Sequence, residues 1–444
     1  MSSWQPIIGL EVHLELNTKA KMFCQCPNKH FRQKPNAHTC PVCLGLPGAL
    51  PVPNIEAINK TILIALAFGA KINKNFWFDR KNYFYPDLPK GYQISQHFKP
   101  IGLGGQVPIL TNGKDKNIAL NNIHLEEDTG KLIHEENETL IDFNRSGVPL
   151  VEIVSQPVLS SGLEAKAYLQ RLQQTLRWLR VSDCDMEKGS MRLEANISVK
   201  NEKLTIKNDK LPDYKVEIKN LNSFKFVEKA INYEIQRQIK ILEKGKQPKQ
   251  ETRGFNLRRG MTYLQRSKEV AKDYRYFPEP DIPPFKFSQK KIGEIKGMLP
   301  KLPWQLEKDL IGLGIRKSWL SIVNKTKYIS ELVINTITLA KKEGITPDQL
   351  GKYIVNNPAL RKQSAREIIR AIKKDRNKFS LSVKEIKKYA KQAIEEQPKA
   401  VADYKKGKAQ VISFLIGQVQ AKSSGKADPK ITAQEIIKQI RVKK

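Results

Sequence analysis

No apolar run in the chain approaches the ~18 residues that a membrane span requires, so a bilayer-crossing helix is not expected. Cysteine is scarce: five in 444 residues, which excludes a disulfide-built scaffold, and four of the five are clustered. Acids are few, 45 Asp and Glu against 78 Lys and Arg, and the formal net charge is +33. Such a field attracts polyanions, nucleic acid first among them. The lysines are scattered rather than blocked, and a lysine-, isoleucine- and asparagine-rich composition is the competing source of the same charge. No leader pattern opens the chain: Trp4, Pro6 and Glu11 follow the start at once, and a cytoplasmic location is expected. Three catalytic signatures are missing as well. There is no Gly-x4-Gly-Lys-Ser/Thr phosphate loop, no protein-kinase set and no Gly-x-Ser-x-Gly elbow. Gly102-Leu-Gly-Gly105 is too short to cradle phosphate, and Ser423-Ser424 beside Lys426 reads as a polar turn, not an amidase triad.

What is present is a patterned core. Ile8, Leu10, Val12, Leu14 and Leu16 alternate with Gly9, Glu11, His13 and Glu15, the period of a half-buried strand. That period puts Glu11 and His13 on one polar face. Further strands are expected near 118–125, 140–143, 150–154 and 192–199. Apolar stripes predict a helix through Ala165, Leu169, Leu172, Leu176 and Leu179, and another from Ala230 to Leu242 that stops at Gly245. Strands grouped with a few helices, without strict βαβ alternation, predict an α+β fold with a mainly antiparallel sheet rather than a dinucleotide-binding fold. Prolines from Pro278 to Pro303 punctuate an exit into lysine-rich helices. The expected domains are 1–290, an all-α stretch at 291–378 and a small helical tail at 379–444. In the tail Ser382-x-x-Glu385 and Thr432-x-x-Glu435 read as capping boxes, Leu381 with Ile386 as a hydrophobic staple, and 411–419 as the core of a three-helix bundle. Cys184 stands apart as a packing residue.

Three constellations carry chemistry. Residues 81–96, Lys-Asn-Tyr-Phe-Tyr-Pro-Asp-Leu-Pro-Lys-Gly-Tyr-Gln-Ile-Ser-Gln, are too proline-punctuated and polar for a plain strand or helix. They read as a shaped loop offering Lys81, Tyr83, Tyr85, Lys90 and Tyr92 to a flat anionic ligand, a nucleotide or an RNA end. Cys24-x-Cys26 and Cys40-x-x-Cys43 are two tight thiolate pairs, suited to a closed tetrahedral structural zinc site; reduced core cysteines or a catalytic thiol are the alternatives. Carboxylates form the third set: Glu11 with His13, His-Leu-Glu-Glu-Asp-Thr-Gly at 124–130, and Glu152 inside an apolar strand where a charge needs a partner. Oxygen-rich ligands with one imidazole suit Mg²⁺ or Mn²⁺ beside nucleotide phosphates. From residues alone, a metal site and scattered salt-bridged acids both stand.

These motifs together resemble the B subunits of the tRNA-dependent amidotransferases, the GatB family. The resemblance runs nearly end to end. It is carried by Gly-Leu-Glu-Val-His (9–13), Cys-Pro-Val-Cys-Leu-Gly-Leu-Pro-Gly (40–48), the 81–96 segment, 124–130 and Phe-Asn-Arg-Ser-Gly-Val-Pro-Leu-Val-Glu-Ile (143–153). Glu-Ile-Lys-Asn-Leu-Asn-Ser-Phe (217–224), Asp-Tyr-Arg-Tyr-Phe-Pro-Glu-Pro-Asp (273–281), Asp-Tyr-Lys-Lys-Gly-Lys (403–408) and Phe-Leu-Ile-Gly-Gln-Val (414–419) extend it. It implies a kinase-like cradle domain, a helical linker and a tail that touches tRNA. It also implies an activity: ATP phosphorylates the side-chain carboxylate of misacylated Glu-tRNA(Gln) or Asp-tRNA(Asn), and ammonia displaces the phosphate. Glu11, His13, Glu126 and Glu152 fall where the family places catalytic Mg²⁺ ligands, with Glu127 and Asp128 as near alternatives. Cys24, Cys26, Cys40 and Cys43 fall at its zinc site. Lys81, Tyr83 and Lys90 are candidate contacts to ATP or the acyl phosphate. The implied partners are the amidase (A) and the small (C) components of the same heterotrimer, because the chain shows no ammonia-generating centre of its own. The contrasting expectation is a zinc-stabilised tRNA-binding protein without chemistry. Two departures from the family pattern are Leu193-Glu194 in place of Cys-Asp, and Val158 in place of Asp.

Overall fold

In a computed structural model of the chain, residues 4–201, 211–267, 273–378 and 381–442 are described. They divide into two compact units, Met1–Gln305 and Leu306–Lys444.

Among the described residues of the first unit, ten strands join one sheet. In chain order they are β1 (Trp4–Glu15), β2 (Lys71–Ile72), β3 (Gly102–Leu103), β4 (Gln106–Thr111), β5 (Lys114–Glu127), β6 (Pro149–Ser155), β7 (Met191–Asn201), β8 (Val216–Ile218), β9 (Glu251–Asn256) and β10 (Met261–Ser267). Their spatial order is β10-β9-β8-β7-β1-β6-β5-β3-β2, with β4 also on β5. Every pairing is antiparallel except β8 with β9. The α+β, mainly antiparallel architecture expected from the alternation is therefore observed.

The N-terminal alternation becomes β1 because Ile8, Leu10, Val12 and Leu14 all point into the core. Each fully buried Leu, Ile or Val contributes roughly 1.5–3 kcal/mol. On the same core pack α1 (Ile55–Ala67), α2 (Gly162–Trp178) and α3 (Phe224–Glu243). The side chains of Asn54, Ser161 and Ser223 accept the free backbone N–H groups at the three helix starts. α3 ends, as its glycine predicts, just before Gly245 at φ 69°. Cys184 is fully buried in this core. At the edge of β6 a bulge after Val154 frees Ser155, whose hydroxyl accepts the Leu10 amide at 2.9 Å and keeps the centre of β1 satisfied.

The 81–96 segment is not a loop throughout. Asp79–Asn82 pairs with Tyr92–Ser95 as an antiparallel hairpin, and only 83–91 is loop. Both prolines, Pro86 and Pro89, lie inside that loop, so the flanks keep the amides needed for pairing. Phe277–Pro278 adds a third strand against Asp79–Arg80, locked by Arg80 to Glu279 at 2.7 Å.

The second unit is helical. Leu310, Val333, Ile337, Leu350, Ile354 and Ile368 build one apolar cluster; Ile386, Ala390, Leu415, Val419, Ile436 and Ile440 build another. The expected start of the tail at 379 lies outside the described residues. Ser382 and Glu385 form the expected capping box at the head of Val383–Glu396, with Leu381 against the same cluster. The second expected box does not form. Thr432 lies one turn inside Pro429–Val442, where its hydroxyl donates to the Asp428 carbonyl, and Asp428 caps the helix by accepting from Lys430 and Ile431. Pro429 favours this earlier start, since proline suits the first helical turn. A short extra helix, Pro398–Lys405, with no fully buried residue, joins the three expected core-bearing ones.

Candidate active site and metal centres

Across the middle of the sheet the strand register aligns a row of ionisable side chains. His124 of β5 is opposite Glu152 of β6, which is opposite His13 of β1, which is opposite Arg192 of β7. Glu126 follows His124 by two residues and so shares its face. His13 Nε2 lies 3.4 Å from Glu152 and 3.9 Å from Glu126; His124 Nε2 lies 3.1 Å and 3.8 Å from the same two carboxylates. Ligand atoms of His13, Glu126 and Glu152 all fall within 4.8 Å of one another. The Ser95 hydroxyl donates to Glu126 at 3.0 Å, and His124 Nδ1 pairs with Asn122 at 2.9 Å, so both side chains are aimed.

The electrostatics follow from that geometry. Burial opposes a proton on either imidazole, but the adjacent carboxylates outweigh it: His13 is raised and His124 is pushed up to about 10. Burial would raise Glu152, yet His124 and His13 hold it well below the usual carboxylate range. Such a cluster exchanges its protons for a divalent cation readily. Two carboxylates and an imidazole on one small patch fit a hard ion such as Mg²⁺ or Mn²⁺.

Glu11 belongs to a different group. Its carboxylate clusters with Glu194 and Glu217, and it accepts from Asn196 at 2.7 Å. Burial, then Glu152 and Glu194, raise its pKa. Lys219 lies 2.9 Å from Glu194 and 3.5 Å from Glu217, so one cation already offsets part of the charge of this group. Glu194 reaches that lysine directly.

Of the 81–96 candidates, Lys81 feels the charge of both Glu126 and Glu152. Burial disfavours its charge, but Glu126 reverses this and the pKa rises. Its ammonium lies 4.9 Å from the Tyr274 ring centroid and 5.8 Å from that of Tyr83. Lys90 instead pairs with Glu127 at 2.8 Å, on the face opposite Glu126, with Tyr92 beside it. Tyr85 is 58% exposed. Asp128 is held by Arg192 at 2.7 Å and Arg145 at 3.7 Å. His124, Arg192, Tyr274 and Tyr276 are the functional candidates that motif reading passed over. A signal for the first two lies in strand alternation, which puts His124 on one face with Glu126 and Arg192 with Glu194.

The four paired cysteines converge, their sulfurs within 4.8 Å of one another. Backbone pairing of Ala20 with Pro27 shapes the first knuckle, and the Cys40 amide donates to Cys43 Sγ at 3.1 Å in the second. The Cys24 thiol and then the Lys21 ammonium hold Cys43 at about 4, against its burial. Lys21 is fully buried, its Nζ donating to the His38 carbonyl at 2.7 Å and lying 3.6 Å from Cys43. Four converging sulfurs with a buried counter-cation fit a tetrahedral zinc ion.

Comparison with known proteins identifies the family of the chain. The family described as the GatB/GatE catalytic domain matches residues 6–293, and that described as the GatB domain matches residues 323–440. The B subunit of the aspartyl/glutamyl-tRNA(Asn/Gln) amidotransferase of Thermotoga sp. (strain RQ2) is 39% identical over 98% of each chain. The protein of the same name from Thermus thermophilus is 37% identical, covering 99% of this chain and all of its own. That from Thermomicrobium roseum is 39% identical over 96% of this chain and 97% of its own.

Proposed function

The chain belongs to the GatB family, and from that premise we propose that it is the amide-forming component of a tRNA-dependent amidotransferase that uses ATP. The substrate is a misacylated tRNA, Glu-tRNA(Gln), Asp-tRNA(Asn) or both. The observation that carries this reading is the meeting of His13, Glu126 and Glu152, from three strands, beside the caged Lys81.

A side-chain carboxylate is a poor electrophile, because its charge repels a nucleophile and oxide is not a leaving group. Its oxygen attacks the γ-phosphorus of ATP, ADP departs, and an acyl phosphate forms. Ammonia then attacks the acyl carbon, phosphate leaves and the amide remains. His13, Glu126 and Glu152 would hold Mg²⁺, with Glu11 at the neighbouring carboxylate group. The ion, when bound, supplies charge stabilisation to the phosphates. Lys81, kept cationic by Glu126, adds a fixed positive charge where the transferred phosphoryl group passes. The rings of Tyr83 and Tyr274 flank the lysine. Lys90 positions Glu127, and Tyr92 packs beside it; Tyr85 is free to meet RNA. The cysteine knuckles would bind zinc and fix the segment that precedes α1. The partner amidase (A) supplies ammonia and the small partner (C) assists assembly. The tail from 379 onward contacts tRNA, and the enzyme works in the cytoplasm. A protein that only bound RNA would have no use for a cation-ready cluster of buried acids.

The test is Glu126→Ala in the purified heterotrimer, assayed with each misacylated tRNA, ATP and glutamine. Loss of ATP-dependent transamidation with tRNA binding retained is expected. Wild-type-like turnover removes Glu126 from the reaction.

A further inference from the structure

The hairpin that carries Lys81 gains its third strand at Phe277–Pro278, where Phe277 stands opposite Arg80. Tyr276, one residue earlier, therefore stands beside Lys81 on the same face. The chain reaches that position through a clamped kink. Arg275 takes the left-handed conformation, φ 44°, and the Asp273 carboxylate accepts its amide at 2.9 Å. Asn82 holds the kink from the facing strand: its backbone N–H donates to the Tyr274 carbonyl at 3.0 Å and its side-chain amide to the Arg275 carbonyl at 2.7 Å. A non-glycine residue at positive φ persists only where its surroundings over-determine it, and such residues gather at functional sites.

The ring of Tyr276 is held as firmly. It stacks on His97, centroids 4.0 Å apart and planes 9° from parallel, with Tyr274 edge-on at 6.0 Å. His97 is itself pinned. Asp79, fully buried, accepts the His97 amide at 2.7 Å, the Phe98 amide at 3.0 Å and the Trp77 indole N–H at 3.0 Å. Three donors on one buried carboxylate fix the bend that presents the imidazole. The other end of the tyrosine is left open. Its hydroxyl has no hydrogen-bond partner among the described residues, yet it feels Lys81, Glu126 and Glu152. Burial raises its pKa, Lys81 opposes this, and Glu126 and Glu152 add to it, so the phenol keeps its proton at neutral pH. A locked ring with an unpartnered donor at its tip, beside a cation-ready cluster, is preorganised for a ligand.

We propose that Tyr276 is a catalytic residue of the phosphoryl-transfer step, its hydroxyl donating to an oxygen of the γ-phosphoryl group in flight, and that His97 is the residue that positions it. The inference rests on the amidotransferase reading for its choice of step. The P–O bond to ADP breaks, a P–O bond to the substrate carboxylate forms, and the tyrosine proton stays on its own oxygen. The hydroxyl stabilises charge spread over the phosphoryl oxygens. Lys81 and Tyr276 then act from neighbouring strands, one by its charge and the other by a directed hydrogen bond.

The experiment follows ADP release and amide formation separately in the purified heterotrimer with misacylated tRNA, ATP and glutamine. Tyr276→Phe keeps the stacked ring and removes only the hydroxyl. It should lower kcat for both readouts about 100-fold, with KM for ATP and tRNA changed by less than about twofold. His97→Ala removes the stack and should lower kcat roughly tenfold, whereas His97→Phe keeps it and should restore the rate. In the Tyr276→Phe background His97→Ala should add little, because both act through one hydroxyl. An unchanged kcat in Tyr276→Phe, or a change in KM alone, overturns the proposal. So does loss of the amide with ADP release intact, which puts the hydroxyl at the ammonia step. A His97→Phe variant as slow as His97→Ala removes His97 from the positioning role. A wild type that releases no ADP with either misacylated tRNA refutes the amidotransferase reading itself, and this proposal with it.

Discussion

Asp128 offers a stability measurement whose size and pH dependence both follow from its surroundings. Burial alone would raise its carboxyl, but Arg192 and then Arg145 hold it at about 2. Against an unfolded value near 3.9, the gap of roughly two units is worth about 2.5 kcal/mol at neutral pH. The folded value is the lower one, so the unfolded chain takes up the proton first as pH falls. The contribution is complete above about pH 5, roughly half remains at pH 3, and little is left at pH 2. Asp128→Asn cannot titrate, and it leaves Arg192 and Arg145 short of their carboxylate. The variant should therefore be less stable at pH 7 by about 2–3 kcal/mol, and the difference should narrow by about 1 kcal/mol at pH 3. Four of the five tryptophans, Trp4, Trp77, Trp178 and Trp304, lie in the first unit, so fluorescence in a Trp319→Phe background follows the relevant unfolding in urea. A stability difference that does not change between pH 7 and pH 3 would refute the ion-pair account.

Elemental analysis should find one zinc per chain, lost in Cys40→Ser; a zinc-free, fully folded wild type contradicts the knuckle assignment. Lys21→Met should raise the pH at which Cys43 becomes reactive to alkylation by about one unit in metal-stripped protein, since it removes a buried ammonium 3.6 Å away. No change there would leave the hydrogen bonds from Cys24 and Cys40 as the source of the low value. Deleting residues 379–444 removes 15 Lys and Arg against 6 Asp and Glu. It should weaken tRNA binding about tenfold and flatten its salt dependence, with turnover at saturating substrate less affected; an unchanged Kd excludes the tail from RNA binding.

Strand periodicity made much of this legible. The alternation from Ile8 to Leu16 was enough to put Glu11 and His13 on one face, and thiolate spacing was enough to pair the cysteines. What it could not give was lateral neighbours. Whether Glu11 meets Glu126 or Glu194 depends on which strands flank β1, and that is decided by long-range pairings, Glu11 standing opposite Val154 on one side and Glu194 on the other. The same ignorance hid His124, whose partner Glu152 lies on the next strand. The hairpin flanking 83–91 was obscured because two prolines dominated the reading of sixteen residues, although their effect is confined to their own loop. Thr432 was mistaken for a cap because Ser/Thr-x-x-Glu also occurs inside a helix, where the hydroxyl turns back to the preceding turn.

The arrangement on β1 explains why its register must be strict. A slip by one residue would turn Glu11, His13 and Glu15 into the core and expose Leu10, Val12 and Leu14. The charged row could not survive this, because His13 would lose Glu152 on one side and Arg192 on the other. The hydrophobic face and the ionisable face therefore select the same pairing. The central position of β1, between β6 and β7, lets one strand serve both neighbours at once. Glu11 reaches across β7 toward Glu194, and His13 reaches across β6 toward Glu152. An edge strand could have supplied only one of these groups. A carboxylate group and a cation-ready triad thus follow one another along a single strand with a two-residue step.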